Sequence, residues 1–212
     1  ALFSVALAVL VAALDLDAHA LTLQFALITL AASSYFGLTV PMLYADNAQL
    51  RGLLIHDSLT GAYSRHFFVE LAERALAQAR REDQPVSLLM IDLDYLKLIN
   101  DAHGHAVGDR VLAQMAHAAQ QVIGPRGVLG RLSGDEFAAL LPQADGEAAR
   151  DYAARLLLAV ETMPSPLPEV LPSCSIGIAT ARPGEDYAGL LGRADTALYA
   201  AKRGGRGRAQ LA

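Results

Sequence analysis

Charged residues are spread so unevenly along this chain that they divide it into two parts with different folding requirements. Residues 1–45 contain no Lys, Arg or Glu, and their acids are Asp15 and Asp17, whereas every Lys and Arg lies from Arg51 onward. Residues 18–45 form an uncharged run, longer than the ~20 apolar residues that a helix needs to cross a bilayer. The run raises the hydrophobic fraction to 53% and the mean hydropathy to +0.30, both high for a purely soluble protein.

The first part of the chain is therefore predicted to be a transmembrane region over residues 1–45. We expect a truncated helix over residues 1–14, whose beginning lies upstream, and a second helix over about residues 20–45. Tyr44 followed by the polar Asp46 is an aromatic-then-polar exit typical of a membrane interface. Because the Lys and Arg residues all follow this run, the positive-inside tendency places the remainder of the chain in the cytoplasm.

Two other interpretations of the apolar region remain open, namely a buried hairpin of a soluble protein and a signal peptide. A signal peptide is disfavoured because no positively charged segment precedes the apolar residues. Residues 46–56 are predicted to form a linker or stalk helix, with Leu50, Leu53 and Leu54 on one stripe. The stripe is equally compatible with pairing to a second copy of the chain and with packing on the chain's own domain.

Residues 57–212 are predicted to form one domain in which helices and strands alternate. Helical and strand-length patterns are interleaved, and Ser133–Glu136 is a hairpin signal, so we expect an α/β or α+β domain with a mixed sheet. The predicted helices cover residues 65–81, 96–102, 109–123, 145–162 and 186–203, and the predicted strands cover residues 85–93, 127–132, 137–141 and 174–180.

Acidic residues lie where two of the predicted strands end. Asp92 and Asp94 follow the apolar run of residues 85–91, and Asp135 and Glu136 occupy the tip of the predicted hairpin. A carboxylate at the end of a buried strand is costly unless a cation compensates it, and two such clusters side by side would suit Mg²⁺. The alternatives are local: Asp94 as a helix N-cap, which is the favoured interpretation for that residue, and Asp135 as a turn former.

Five segments of the second part together resemble the GGDEF family of diguanylate cyclases. They are residues 57–68 (DSLTGAYSRHFF), 92–109 (DLDYLKLINDAHGHAVGD), 133–137 (SGDEF), 174–178 (CSIGI) and 193–208 (RADTALYAAKRGGRGR). The resemblance covers about residues 57–208. It implies a fold like that of the polymerase palm and the class III nucleotide cyclases, with a central, five-stranded, largely antiparallel sheet wrapped by helices.

The resemblance also implies roles for individual residues. Asp92, the backbone carbonyl of Leu93 and Asp135 would hold Mg²⁺, with Mn²⁺ as an alternative. Asp135 and Glu136 are the candidates for accepting the proton of the ribose 3′-hydroxyl, and Lys97 would offset charge in the transition state. The implied substrate contacts are Asn100 and Asp109 at the guanine edge, His105 in the same stretch, and Lys202 and Arg206 at the phosphates.

The implied reaction joins two GTP molecules into cyclic di-GMP and releases two pyrophosphates. One domain would hold one GTP, so a homodimer is expected for catalysis. With the membrane region, the expected location is the inner (cytoplasmic) membrane of a bacterium, with the catalytic domain in the cytoplasm. A catalytically silent domain that binds GTP and regulates another protein is the second hypothesis, and a cyclase acting on a single nucleotide is the third.

Several features limit these hypotheses. Ser133 stands where the family name has Gly, which motivates the silent alternative, and Gly124–Gly127 lacks the R-x-x-D of product-inhibited members. His103 and His105 have no third soft ligand nearby, so a zinc site is disfavoured. The net charge of −5 gives no electrostatic case for binding nucleic acid, and a lone Cys excludes an internal disulfide.

Overall fold

A computed structural model describes residues 18–52, 55–167 and 169–212, and its contacts divide the chain into two units between Arg51 and Gly52. Helix α1 (Ala18–Gly52) lies in the first unit except for its last residue, and large apolar side chains such as Phe36 and Leu38 are exposed along it. Among the described residues, no helix is both long and apolar enough to qualify as a membrane span. The predicted helix over residues 1–14 lies outside the described residues, and so do Leu53 and Leu54 of the predicted stalk.

The second unit is built on a six-stranded sheet with helices on both faces. Its strands are β1 (Tyr63–Ser64), β2 (Val86–Leu93), β3 (Val128–Ser133), β4 (Glu136–Pro142), β5 (Cys174–Thr180) and β6 (Ala209–Leu211), in the spatial order β1-β3-β4-β2-β5-β6. The four central strands pair antiparallel, whereas β1 and β6 pair parallel to β3 and β5 at the two edges. The helices are α2 (Arg65–Glu82), α3 (Leu96–His103), α4 (His105–Ile123), α5 (Gly146–Thr162) and α6 (Tyr187–Arg203).

Strand β2 is buried along its whole length because helices cover both faces of the sheet. Successive side chains of a strand point to opposite faces, and the two cores follow that alternation. Leu88 and Met90 pack in the core with α2 and α6, whereas Leu89 and Ile91 pack in the core with α4 and α5. The apolar run of β2 is therefore the signature of a strand in the middle layer of a helix–sheet–helix sandwich.

The helices predicted from periodicity are confirmed, and local capping explains several of their starts. Ser64 accepts a hydrogen bond from the Phe67 N–H at the start of α2, and Asp186 accepts one from the Gly189 N–H at the start of α6. Helix α4 begins four residues earlier than the predicted start at residue 109. Gly104, at a φ of +82°, separates it from α3.

The sheet contains one strand more than the resemblance implies. Residues 209–211, for which no strand was predicted, form the edge strand β6. The Ile176 N–H donates to the Arg208 carbonyl and the Ala212 N–H donates to the Ile178 carbonyl, so the tail satisfies backbone groups that β5 would otherwise leave unpaired. The predicted mixed α/β sheet wrapped by helices is confirmed.

Gly177 of β5 lets α6 lie against the sheet at very short range. A Cβ atom at this position would meet the Ala194 carbonyl oxygen at 2.0 Å and the Leu198 backbone nitrogen at 2.3 Å. Both are main-chain atoms, so a side-chain rotation cannot relieve the clash. The close approach fixes α6, whose C-terminal end carries Lys202.

We expect Gly177→Ala to lower the free energy of unfolding of the domain by ~2–3 kcal/mol, because backbone must shift to admit the methyl group. The measurement is urea unfolding followed by circular dichroism. Gly192→Ala is the matched control, since no atom of the described residues lies within 4 Å of its added Cβ on α6. That control should be neutral or stabilising by about 0.5–1 kcal/mol through helix propensity. Equal stabilities of the two variants would contradict the close packing.

Candidate active site

Sheet register brings the two predicted acidic clusters to one end of the sheet. Asp92, near the end of β2, lies opposite Glu136 of β4 on one side and Ser175 of β5 on the other. The Leu93 N–H donates to the Asp135 carbonyl at 3.3 Å, which ties the end of β2 to the β3–β4 turn. Residues more than forty positions apart in the sequence therefore form one site.

Asp92 is a nearly buried carboxylate that is incompletely compensated. The residue is 5% exposed, and its Oδ2 lies 2.6 Å from the Lys202 Nζ. Burial raises the pKa of Asp92 to about 6; the Lys202 hydrogen bond opposes this rise, while the negative charges of Asp135 and Asp94 add to it. A second acid beside a desolvated one is an arrangement that favours a bound cation.

Asp94 does not act as the predicted helix N-cap. Tyr95 is the N-cap residue of α3 and makes no side-chain capping bond. The Asp94 carboxylate instead accepts hydrogen bonds from the Ser173 hydroxyl at 3.0 Å, the Ser175 hydroxyl at 2.8 Å and the Gly207 N–H at 3.0 Å. These donors lie far away in the sequence, so a local capping rule could not identify them.

The acidic hairpin tip is a two-residue turn, Gly134–Asp135, between β3 and β4. Gly134 has a φ of +34°, and the register of the two strands shifts between Arg131 and Ser133. The Ser133 hydroxyl donates to Glu136 Oε2 at 2.6 Å, so the residue that departs from the family motif contacts a candidate proton acceptor. Asp135 and Glu136 are both half-buried.

Arg131 supports this turn and was not among the predicted site residues. Its guanidinium donates to the Gly134 carbonyl from Nε at 3.0 Å and from Nη2 at 2.7 Å, and Nη1 lies 3.0 Å from the Asp57 carboxylate. Burial would raise the pKa of Asp57, but hydrogen bonds from Thr60 and Arg131 outweigh it and hold that pKa below its ordinary value. The sequence signal that could have identified Arg131 is its position two residues before the SGDEF segment (residues 133–137).

The predicted guanine-contacting residues lie at the corner between α3 and α4. Asn100 Oδ1 is buried and has no hydrogen-bond partner among the described residues. A Cβ on Gly108 would lie 1.9 Å from this oxygen, so glycine is required there. Asp109 follows Gly108 and is exposed, as is His105 at the start of α4. An unsatisfied polar atom next to an exposed carboxylate is a suitable place for a ligand with hydrogen-bond donors.

The predicted phosphate-binding cations are placed unequally. Lys202 is paired with Asp92, and the Arg206 Nε lies 3.9 Å from Asp94 Oδ1. Lys97 is exposed on α3 and makes no ion pair within the described part of the chain. Lys202 and Arg206 therefore lie beside Asp92 and Asp94, whereas the side chain of Lys97 is exposed to solvent.

The donor set fits a magnesium ion that shares its ligands with a substrate. Within the described residues, no group of three or more His, Cys, Asp and Glu could hold a metal. Asp92 and Asp135 provide two carboxylates, and Mg²⁺ is usually bound through one or two carboxylates together with substrate phosphates. The raised pKa of Asp92 shows that its charge has room for further compensation.

A cavity of about 550 Å³ lies away from this site. It opens at the opposite end of the sheet, beside Pro85 and Ala181, and none of the predicted site residues lines it.

Comparison with known proteins agrees with the geometry. The model of the family described as diguanylate cyclase, GGDEF domain, matches residues 54–208. A probable diguanylate cyclase, DgcC of Escherichia coli K12, is 32% identical over 176 residues, which are 82% of this chain and 47% of that protein. The diguanylate cyclase TpbB of Pseudomonas aeruginosa PAO1 is 40% identical over 172 residues, which are 79% of this chain and 39% of that protein. The chain thus spans half or less of the length of these relatives.

A solved structure shares both the fold and the sequence pattern. The GGDEF domain of DgcB from Caulobacter crescentus, in complex with c-di-GMP, superposes with a TM-score of 0.70 at 30% identity, covering 74% of this chain and 92% of that one. The family match covers most of the chain, and the relatives exceed 30% identity over more than two thirds of it. On these grounds, the chain belongs to the GGDEF family of diguanylate cyclases.

Proposed function

We propose that this chain condenses two GTP molecules into cyclic di-GMP and releases two pyrophosphates. The observation that carries the proposal is the buried Asp92, which lies beside Asp135 and pairs with Lys202 at 2.6 Å. A site that combines carboxylates with a lysine ammonium suits the transfer of a phosphoryl group, whose negative charge must be balanced throughout the reaction. Relatives named as diguanylate cyclases add support.

In the proposed reaction the ribose 3′-hydroxyl of one GTP loses its proton to a carboxylate of the hairpin. Glu136 and Asp135 are the candidates, and the Ser133 hydroxyl holds Glu136 Oε2 in place. The 3′-oxygen forms a bond to the α-phosphorus of the other GTP, and the bond to the departing pyrophosphate breaks. Asp92, Asp135 and the Leu93 carbonyl would hold Mg²⁺, which supplies Lewis-acid stabilisation of the charge on the phosphoryl oxygens.

Cationic side chains are proposed to hold the triphosphate. Lys202 and Arg206 stand beside the acids, and Lys97 lies exposed on α3 from where it can reach a bound anion. These residues orient the phosphates and offset charge, so their contribution is to alignment more than to proton transfer.

The guanine base is proposed to bind at the corner between α3 and α4. Asn100 Oδ1 has no hydrogen-bond partner in the described part of the chain, and the exposed Asp109 carboxylate can accept from guanine N1–H and the 2-amino group. Adenine has no 2-amino group and presents an acceptor at N1, so it would leave these oxygens unpaired. His105 lies at the rim of the same corner.

Two copies of the domain are proposed to face each other during the reaction. Each domain has one acidic site, so it can hold one GTP, and the second GTP must be presented by a partner copy. Most of the rate enhancement then comes from holding two substrates in the reacting orientation. The silent regulatory alternative is not favoured, because Asp92, Asp135 and Glu136 are all in place and the relatives DgcC and TpbB are named as cyclases.

Asp135→Asn should reduce formation of cyclic di-GMP by ~100- to 1000-fold, since a neutral amide binds a cation more weakly than a carboxylate and cannot accept the proton. The assay incubates the chain with GTP and Mg²⁺ and identifies products by mass spectrometry. Asp151→Asn, at an exposed position of α5, is the matched control and should retain activity. A wild-type chain that makes no cyclic di-GMP, or an Asp135→Asn variant within tenfold of it, would sink the proposal.

Lys202→Met should lower the Tm in metal-free buffer, because removing the partner of a buried carboxylate costs about 2 kcal/mol. Millimolar Mg²⁺ should recover more stability in this variant than in wild type, since a cation at Asp92 replaces the lost ammonium. Asp92→Asn should abolish the Mg²⁺-dependent shift, and Arg203→Met, at the exposed next position, should behave as wild type. The same Mg²⁺-dependent shift in all four proteins would exclude a metal at Asp92.

We propose that the apolar region of residues 1–45 anchors the chain in a bacterial inner membrane, with the catalytic domain on the cytoplasmic side. Two observations support this location. The run of residues 18–45 is uncharged, and the side chains of Phe25, Ile28 and Leu38 are between 48% and 73% exposed along α1. Lipid would cover such a surface favourably, whereas water would not.

After expression in bacteria, the full chain should remain in the membrane pellet after alkaline carbonate extraction. A fragment of residues 52–212, which contains the second unit alone, should appear in the supernatant. Release of the full chain by carbonate would count against anchoring in the membrane by residues 1–45.

A further inference from the structure

We propose that Tyr95 is a positioning residue that sets the direction of the Arg206 guanidinium toward the substrate phosphates. The inference rests on the proposed function, because it assigns how one phosphate-binding cation of that site is held. It adds a residue that otherwise has only the role of a helix boundary, as the N-cap of α3 without a capping bond.

The guanidinium of Arg206 lies against the aromatic face of Tyr95. The Arg206 Cζ is 5.1 Å from the centre of the Tyr95 ring, within the range of a cation–π contact. Its Nε is 3.9 Å from Asp94 Oδ1, too long for a hydrogen bond but close enough for attraction to a side chain that is fully buried. A ring and a carboxylate therefore hold the guanidinium, which still leaves the Arg206 side chain 44% exposed for a ligand.

The main chain at both residues adopts an uncommon conformation. Tyr95 has a φ of 62° and Arg206 a φ of 61°, the left-handed region that side chains with a Cβ rarely adopt. Two such unusual residues contact each other at the edge of the site. Sparsely populated backbone conformations persist where the surrounding structure enforces them, and they concentrate at functional positions.

Hydrogen bonds immobilise the loop that carries Arg206. The Arg206 N–H donates to the Ala201 carbonyl at 3.2 Å, and the Gly207 N–H donates to Asp94 Oδ2 at 3.0 Å. The Arg208 Nε donates to the Arg206 carbonyl at 3.3 Å. With the backbone held, the remaining freedom of Arg206 is in its long side chain, and the Tyr95 ring restricts that freedom.

Restricting the Arg206 side chain before the phosphate binds lowers the entropy cost of binding. A long cationic side chain loses rotamer entropy when it grips a phosphate, and a side chain already held in place loses less. A cation–π contact is an electrostatic attraction to the ring face, so the Tyr95 ring offers the guanidinium no carboxylate or carbonyl acceptor that would occupy its N–H donors. Those donors stay available for phosphate oxygens, whereas a carboxylate partner with ideal hydrogen bonds would compete for them.

The chain contains a matched pair with which to compare this one. Arg203 lies over the ring of Tyr199 at 5.8 Å on the surface of α6, and Tyr199 is 62% exposed. The chemistry is the same, but neither residue belongs to the proposed site. Removing that ring should leave the use of GTP unchanged.

The test is a double-mutant cycle between Tyr95 and Arg206 in the full 212-residue chain. Tyr95→Leu should raise the KM for GTP by ~3- to 10-fold, as expected from the loss of one cation–π contact, and change kcat by less than about twofold. Tyr95→Phe keeps the ring face and should recover at least half of the loss. In an Arg206→Ala background, Tyr95→Leu should have no further effect, because it acts only through the missing guanidinium.

Affinity for a GTP analogue with a methylene group in place of the α,β-bridging oxygen gives a second readout of the same cycle. This analogue cannot lose pyrophosphate, so the coupling is measurable by calorimetry even if the chain forms no cyclic di-GMP. A chain without product but with coupled Tyr95 and Arg206 would overturn the proposed reaction and keep the positioning role. The positioning role is overturned if Tyr95→Leu weakens binding equally in the Arg206→Ala background, or if Tyr95→Phe is as impaired as Tyr95→Leu. It is also overturned if Tyr199→Leu causes the same loss.

Discussion

The burial of two carboxylates at the end of β2 is the constraint on which the arrangement of the site depends. An apolar strand in the middle layer ends in Asp92 and Asp94, which are 5% and 2% exposed. Their charges must be met by donors or cations from other elements, since desolvated acids without partners would destabilise the domain. The compensating donors and cations come from β5 and from the end of α6, so the two acids determine where those segments must lie. The close contact of α6 with Gly177 makes that placement sterically feasible.

The charges of Asp92 and Asp94 are compensated in different ways. This difference distinguishes a carboxylate that stabilises the fold from one that is available to a ligand. Asp94 accepts three hydrogen bonds, from Ser173, Ser175 and Gly207. Its charge is therefore compensated by contacts that link β2 to β5 and to the loop after α6. Asp92 has Lys202 as its cation, and burial raises its pKa to about 6 despite that partner. A fully satisfied carboxylate is a fixed part of the scaffold. A carboxylate that is still undercompensated, next to Asp135, is the one that can gain from a metal ion or a substrate.

The sequence predicts the parts of this domain that depend on local pattern. The apolar run before Asp92, the five periodic helices and the acidic hairpin could all be read directly, because burial on both faces and helix periodicity leave clear signals. The N-cap prediction for Asp94 was wrong because its actual donors lie 79 to 113 positions away. Strand β6 was missed because three residues of ordinary composition become a strand only when the edge of β5 is beside them. Arg131 was not predicted as a site residue for the same reason, because its ion pair with Asp57 joins residues that are distant in the sequence.

The ion pair between Lys202 and Asp92 has a consequence for how a site of this kind responds to its substrate. In the proposed function Asp92 binds a metal ion and Lys202 binds a phosphate. Without these ligands the two side chains form an ion pair with each other at 2.6 Å. The pair therefore compensates the buried charge in part until both external partners arrive together. Metal alone would displace an ammonium into solvent, and triphosphate alone would leave Asp92 uncompensated, so each partner favours the binding of the other. That coupling follows from charge balance at one buried carboxylate and requires no movement of the sheet.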